Sequence, residues 1–180
     1  MDTIKQSAEN KMKKSISALK NEFNSIRTGR ASASIFDKIR VEYYGTPTPL
    51  NQLATISIPE ARLIVIQPFD KNSLNEIERA IFASDLGLTP GNDGKVIRIN
   101  IPPLTEQRRK ELSKQAKNIG ENSKIAIRNI RRDSNDLIKK GDFSEDEVKS
   151  GQTEIQELTD KYIKEVDIVF KEKEKEIMEV

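Results

Sequence analysis

At 180 residues the chain is long enough to bury a core without metal or disulfide staples, and short enough for one or two domains. It holds no Cys and no His, which removes cysteine nucleophiles, Ser-His-Asp triads, disulfides and the thiolate and imidazole ligands of ordinary zinc sites. With 33% charged and 35% hydrophobic residues and a formal net charge of +2, it suits long helices that each bury a single stripe.

The N-terminal stretch MDTIKQSAENKMKK has no apolar core of a signal peptide, and no segment approaches the roughly 18 apolar residues of a spanning helix. A cytoplasmic protein without membrane contact is expected. From Ile4 through Ala8, Met12, Ile16, Leu19, Phe23 and Ile26, apolar residues recur at spacings of three and four, which predicts a helix stopping near Gly29.

All seven prolines then fall between Pro47 and Pro103. Proline breaks helix interiors, so the chain divides into a proline-free front, a proline-bearing middle and a proline-free back. In the middle, DKIRVEYYG, LATISIP, RLIVIQPF and KVIRINIP are β-branched or aromatic runs bounded by turn residues, hence strands. A helix is expected between them, with Ser73 and Glu76 as a capping box, Leu74, Ile77, Ala80, Ile81 and Leu86 buried, and Gly87 as its stop. YGTPTPLNQL reads as a rigid turn or edge strand, and SDLGLTPGNDG as a turn into the last strand. Of the two tyrosines in EYYG, one should be core and one surface.

The back opens at Thr105, a plausible N-cap after Pro102 and Pro103. Leu112, Ala116, Ile119, Ser123, Ala126, Ile130 and Leu137 form its expected buried stripe as far as Gly141. Ser144 with Glu147 is a second capping box, followed by a stripe of Val148, Ile155, Leu158, Tyr162, Val166, Val169 and Ile177. The acids of SEDE lie in a first helical turn, where the macrodipole favours them, so no metal site is read there.

The fold class expected is α+β with two domains. Residues 1–30 and 105–180 form a long three-helix bundle, and 31–104 form a small inserted β/α/β domain. The chain crosses between them twice, at about 29–34 and 102–105. With Gly29 in one crossing and Pro102-Pro103 in the other, a hinge of restricted swing and a bent, two-armed molecule are expected.

Charge is segregated. Residues 1–30 carry 7 basic and 3 acidic side chains and 105–140 carry 11 and 5, whereas 31–104 carry 7 and 8 and 141–180 carry 6 and 13. At about 100° per residue, Lys110, Lys114, Lys117, Lys124, Arg128, Arg131, Arg132 and Lys139 gather around one meridian, broken mainly by Glu121. Such a ridge is either a solvated face, a partner for the acidic last helix, or a grip on a polyanion. Its length and its near-single sign favour a folded nucleic acid, because self-repulsion in the free protein is relieved by phosphates. Few aromatics lie nearby, which speaks against single-strand stacking. A non-enzymatic helical scaffold, or chaperone-like adaptor, binding acidic proteins is the alternative. A carboxylate enzyme finds no acidic pair to carry it, and no metal or cofactor is implied.

Five blocks, SIRTGRAS, VEYYGTPTPL, ASDLGLTP, IPPLTEQRRKEL and IRNIRRDSND, together resemble the signatures of the bacterial ribosome recycling factor family over essentially the whole chain. The resemblance implies an L-shaped, monomeric, non-enzymatic translation factor. It would split the post-termination ribosome with elongation factor G and release mRNA. Its bundle would lie on large-subunit ribosomal RNA and its smaller domain would face the translocase. By matching motifs, Arg27 and Arg30 of RTGRAS, and Arg128, Arg131 and Arg132 of RNIRRD, would contact RNA.

Overall fold

A computed structural model describes residues 1–179. The chain divides into two compact units, Gly29–Leu104 and a second unit made of Met1–Thr28 with the chain from Thr105 onward.

The second unit is three helices: α1 (Asp2–Ser25), the long helix Glu106–Lys140 and the long helix Glu145–Met178. At 35 and 34 residues the latter two are each about 50 Å long. Lys5 pairs with Glu154 near the start of α1 and Ile26 meets Lys173 near its end, so α1 runs parallel to the last helix. The Glu106–Lys140 helix runs against both. Met12, Leu19, Ile127, Ile138 and Ile155 are fully buried between them. A Cβ on Gly151 would come within 2.7 Å of the Met1 sulfur, so glycine there lets the N-terminus close over the last helix.

Helix ends follow local chemistry. Thr105 Oγ1 accepts from Arg108 N at 3.1 Å. Ser144 and Glu147 form the complete reciprocal box, Glu147 N to Ser144 Oγ and Ser144 N to Glu147 Oε2. The Ser144 amide holds the Glu147 carboxyl below its ordinary range. Helix α1, in contrast, ends at Ser25, earlier than expected: Ile26 is extended, and Gly29, at φ 76°, comes three residues later against Leu104.

The unit Gly29–Leu104 is α+β. Strands β1 (Arg40–Tyr43) and β2 (Thr46–Pro49) pair through a two-residue turn, Tyr44-Gly45, in which both residues have positive φ. Pro47 and Pro49 alternate with Thr46 and Thr48, so their missing N–H groups fall on one edge of the hairpin. After a single helical turn, α2 (Leu50–Leu53), come β3 (Ala54–Glu60), β4 (Leu63–Pro68), α3 (Leu74–Phe82), β5 (Pro90–Asn92) and β6 (Ile97–Asn100). The antiparallel order is β3-β4-β6-β5. Ile64, Ile66, Ile97 and Ile99 from the sheet meet Leu74, Ile77 and Ile81 of α3 in one core. Tyr43 is half-buried, its hydroxyl donating to Asp70, whereas Tyr44 is 81% exposed.

Three sequence expectations give way here. Ser73 does not cap α3: its hydroxyl donates to Asp70 O at 2.6 Å, because Asp70 already caps a 3₁₀ turn over Lys71–Ser73 by accepting from Asn72 N. Helix α3 also ends at Phe82, short of Gly87. The stretch before the last strand contains β5 as well as a turn, and Asp93 organises that turn by accepting from Lys95 N and Val96 N.

A further correction concerns the Glu106–Lys140 helix, α4, packed beside the final helix, α5. Its buried positions are Leu112, Ala116, Gly120, Ile127, Ser134 and Ile138. Ala126 is exposed and Leu137 is 53% exposed. The buried meridian is thus turned by about 50° from the expected one, toward α5. Both Ala126-Ile127 and Leu137-Ile138 offer an apolar neighbour one residue on, and the branched isoleucines fill the seam.

Ile127→Ala should therefore lower stability by about 2–5 kcal/mol in urea unfolding, while Leu137→Ala should cost under about 1 kcal/mol. Equal costs would contradict this register. Asp93 gives a pH test. Val96 N, Lys95 N and the Arg98 guanidinium hold its carboxyl at about 2, below the ordinary 3.8. Its contribution is complete above the higher value and lost as pH falls through the lower one. Amide protection factors across the β5–β6 hairpin, which correct for the intrinsic slowing of exchange in acid, should fall on acidification through that window in the wild type, with a smaller fall in Asp93→Asn.

Candidate nucleic-acid interface

The turn of α4 sorts its cations into two groups. Those nearest α5 are partnered. Lys124 Nζ lies 2.6 Å from Asp167 Oδ1 and 3.5 Å from Glu121 Oε1, and the Asp167 contact raises its pKa. Arg131 is half-buried and donates through Nη1 to Gln156 Oε1 at 3.0 Å; Gln156 in turn donates to Asp160. The Arg131 Nε and, one turn on, the Asn135 Oδ1 are buried without protein partners, so the seam is polar as well as apolar.

The outward group differs. Lys114, Lys117, Arg128, Arg132 and Lys139 are all exposed. Among the described residues none of these five is within ion-pair distance of a carboxylate. Lys110, on the same meridian, reaches Glu106 at 3.1 Å across one exposed turn, an interaction of little strength in water. Arg27 and Arg30 are exposed just beyond the end of α1, and Arg30 has an interaction of its own.

Each of the ten cations singled out from the sequence therefore has a place. Lys114, Lys117, Arg128, Arg132 and Lys139 make a strip of unneutralised charge along one helix. Lys110 belongs to it at its N-terminal end. Lys124 and Arg131 flank it and brace it against α5. Arg27 follows the end of α1, and Arg30 belongs to the unit Gly29–Leu104. Sequence reasoning missed the bracing residues Gln156 and Asp167, because nothing in a single helix pattern says which acid of a neighbour it will meet.

What such a strip can do is electrostatic rather than covalent. Guanidinium forks suit phosphate oxygens, and spaced ammonium groups neutralise a backbone whose charges recur along its length. Among the described residues, no group of three or more Asp or Glu side chains is arranged to hold a metal, and no helix is long and apolar enough to cross a membrane.

Comparison with known proteins gives this geometry a context. Residues 19–178 match the family model described as ribosome recycling factor. The ribosome-recycling factor of Geobacillus kaustophilus is 58% identical over 179 residues, covering 97% of each chain. That of Treponema denticola is 59% identical over 183 residues, covering 99% of each. A solution structure of a ribosome recycling factor superposes with a TM-score of 0.75 at 45% identity, covering 99% of this chain and 97% of that one. A second structure, of the T. thermophilus factor and E. coli elongation factor G bound to the E. coli post-termination complex, gives 0.61 at 43% identity, covering 99% and 98%. With a family match over most of its length and relatives near 60% identity throughout, the chain belongs to the ribosome recycling factor family.

Proposed function

We propose that the protein recycles ribosomes after termination, lying on large-subunit ribosomal RNA through the outer face of α4 and working with elongation factor G to part the subunits and free the mRNA. The observation that carries this reading is the strip Lys114, Lys117, Arg128 and Arg132, exposed and unpaired on a member of this family. A chain with many acids of its own, 13 of them in the last forty residues, leaves these cations without an internal partner. That supports a polyanionic surface as the counterpart.

Arg27 adds a contact beyond the end of α1, Arg30 adds one from the unit Gly29–Leu104, and Arg131 contributes the edge of its guanidinium that Gln156 leaves open. The site of action is the cytoplasm, where ribosomes work. The protein acts here as a binding and force-transmitting body, and nucleotide chemistry belongs to the partner. The unit Gly29–Leu104 receives the partner's movement and passes it through the two crossings at 28–29 and 104–105 to the bundle. Gly29, whose Cβ position lies 3.7 Å from Pro102 O, and the Pro102-Pro103 pair limit that motion to a few backbone torsions.

The test is a salt titration of ribosome binding. Arg132→Ala should weaken binding and reduce the slope of log affinity against log salt by about one. An unchanged affinity with an unchanged slope would remove Arg132 from the interface.

A further inference from the structure

Lys173 is 7% exposed, the one buried ammonium among the described side chains, and it lies in the charge-alternating tail of α5. Its Nζ donates to the Ile26 carbonyl at 3.3 Å and to Glu176 Oε2 at 3.3 Å. The other oxygen of that carboxylate, Oε1, accepts from the Thr28 hydroxyl at 2.9 Å. Two residues of α5 thus hold both ends of the three-residue segment 26–28.

That segment is unusual in its own right. It has left the helix, with Ile26 extended at φ −79° and ψ 116°, yet Ile26 and Thr28 are 6% and 9% exposed. Helix α1 has no basic side chain in its last turn to offset the free carbonyls there. Lys173 brings a cation from another helix to the Ile26 carbonyl, one residue past the end of α1. A buried ammonium is tolerated because a carbonyl and a carboxylate satisfy it, and the carboxylate in turn is satisfied by a hydroxyl.

We propose that Lys173 and Glu176 are positioning residues that anchor the chain's exit from the bundle. From α5 they pin residues 26–28 immediately beyond α1, so that motion of the inserted unit begins at Gly29 and does not unwind α1. The claim about motion rests on the recycling reading above; the claim about anchoring does not.

Two measurements on the full-length protein separate them. In the first, hydrogen exchange of the last-turn amides Phe23–Ile26 is followed in Lys173→Met and Thr28→Val. At least tenfold faster exchange is expected there in Lys173→Met and a smaller increase in Thr28→Val, with Met12–Leu19 unchanged and Lys173→Arg restoring protection. Unchanged exchange, or an increase spread evenly along α1, overturns the anchor. In the second, ribosome splitting with elongation factor G and GTP is followed at saturating protein. Lys173→Met should lower the maximal rate at least threefold while the half-saturating concentration stays within twofold. A wild-type maximal rate in a variant whose last turn has loosened overturns the link to motion. Absence of splitting by the wild-type protein overturns the recycling reading and leaves the exchange result to decide the anchor.

Discussion

Helix α4 can bury only one meridian, and which one it buries decides what the rest of its surface offers. By seating Ile127 and Ile138 against its neighbours, it turns Lys124 and Arg131 toward α5 and leaves Arg128 and Arg132 facing water. A register with Ala126 and Leu137 inward would have carried Lys124 and Arg131 away from Asp167 and Gln156. The packing of two branched side chains therefore sets the electrostatic face of the molecule, and a core contact becomes a statement about function.

The acidic character of α5 fits the same division. Its carboxylates meet cations of the neighbouring helices, Glu154 with Lys5 and Asp167 with Lys124, and Glu176 pairs with Lys173 within α5 itself. Two of the meanings open to a charge run on a helix thus coexist on α4. Lys124 pairs with the last helix, Lys110 and Arg108 pair with acids of α4 itself, and Lys114, Lys117, Arg128, Arg132 and Lys139 have no carboxylate within ion-pair distance among the described residues. Unneutralised like charges along one helix repel, and a phosphate backbone relieves that cost on binding. The labour is divided physically: the seam cations stabilise the bundle, and the outer ones are the proposed counterpart of RNA.

Much of the fold is legible in the sequence, and the exceptions have physical reasons. Ser144 with Glu147 could be recognised because both halves of a capping box are local. The same pattern at Ser73 and Glu76 misled because Asp70, three residues upstream, captured the serine hydroxyl and started the turn early. Strand β5 was hidden by its length of three residues, whereas the two prolines of β2 left a rigid turn and an edge strand both open, and the structure takes the edge strand. On α4 the three-four spacing fitted two adjacent meridians, and only the neighbouring helices could choose. The cations of the candidate interface were visible as residue types at a periodic spacing. Their partition into braced and free was not, since it depends on Gln156 and Asp167. Lys173 was overlooked inside KEKEKE, although it falls four residues before Ile177 and seven after Val166, on the buried stripe of α5.

The central claim, that the outer strip of α4 is the surface covered by the ribosome, is tested most directly by lysine-reactive labelling of the bound protein. Lys114 and Lys117 on the strip and Lys164 and Lys171 on α5 are all exposed in the free chain and should label at comparable rates. On the ribosome, the account predicts several-fold protection of Lys114 and Lys117 with Lys164 and Lys171 still reactive. Undiminished labelling of Lys114 and Lys117 in the bound state would contradict it.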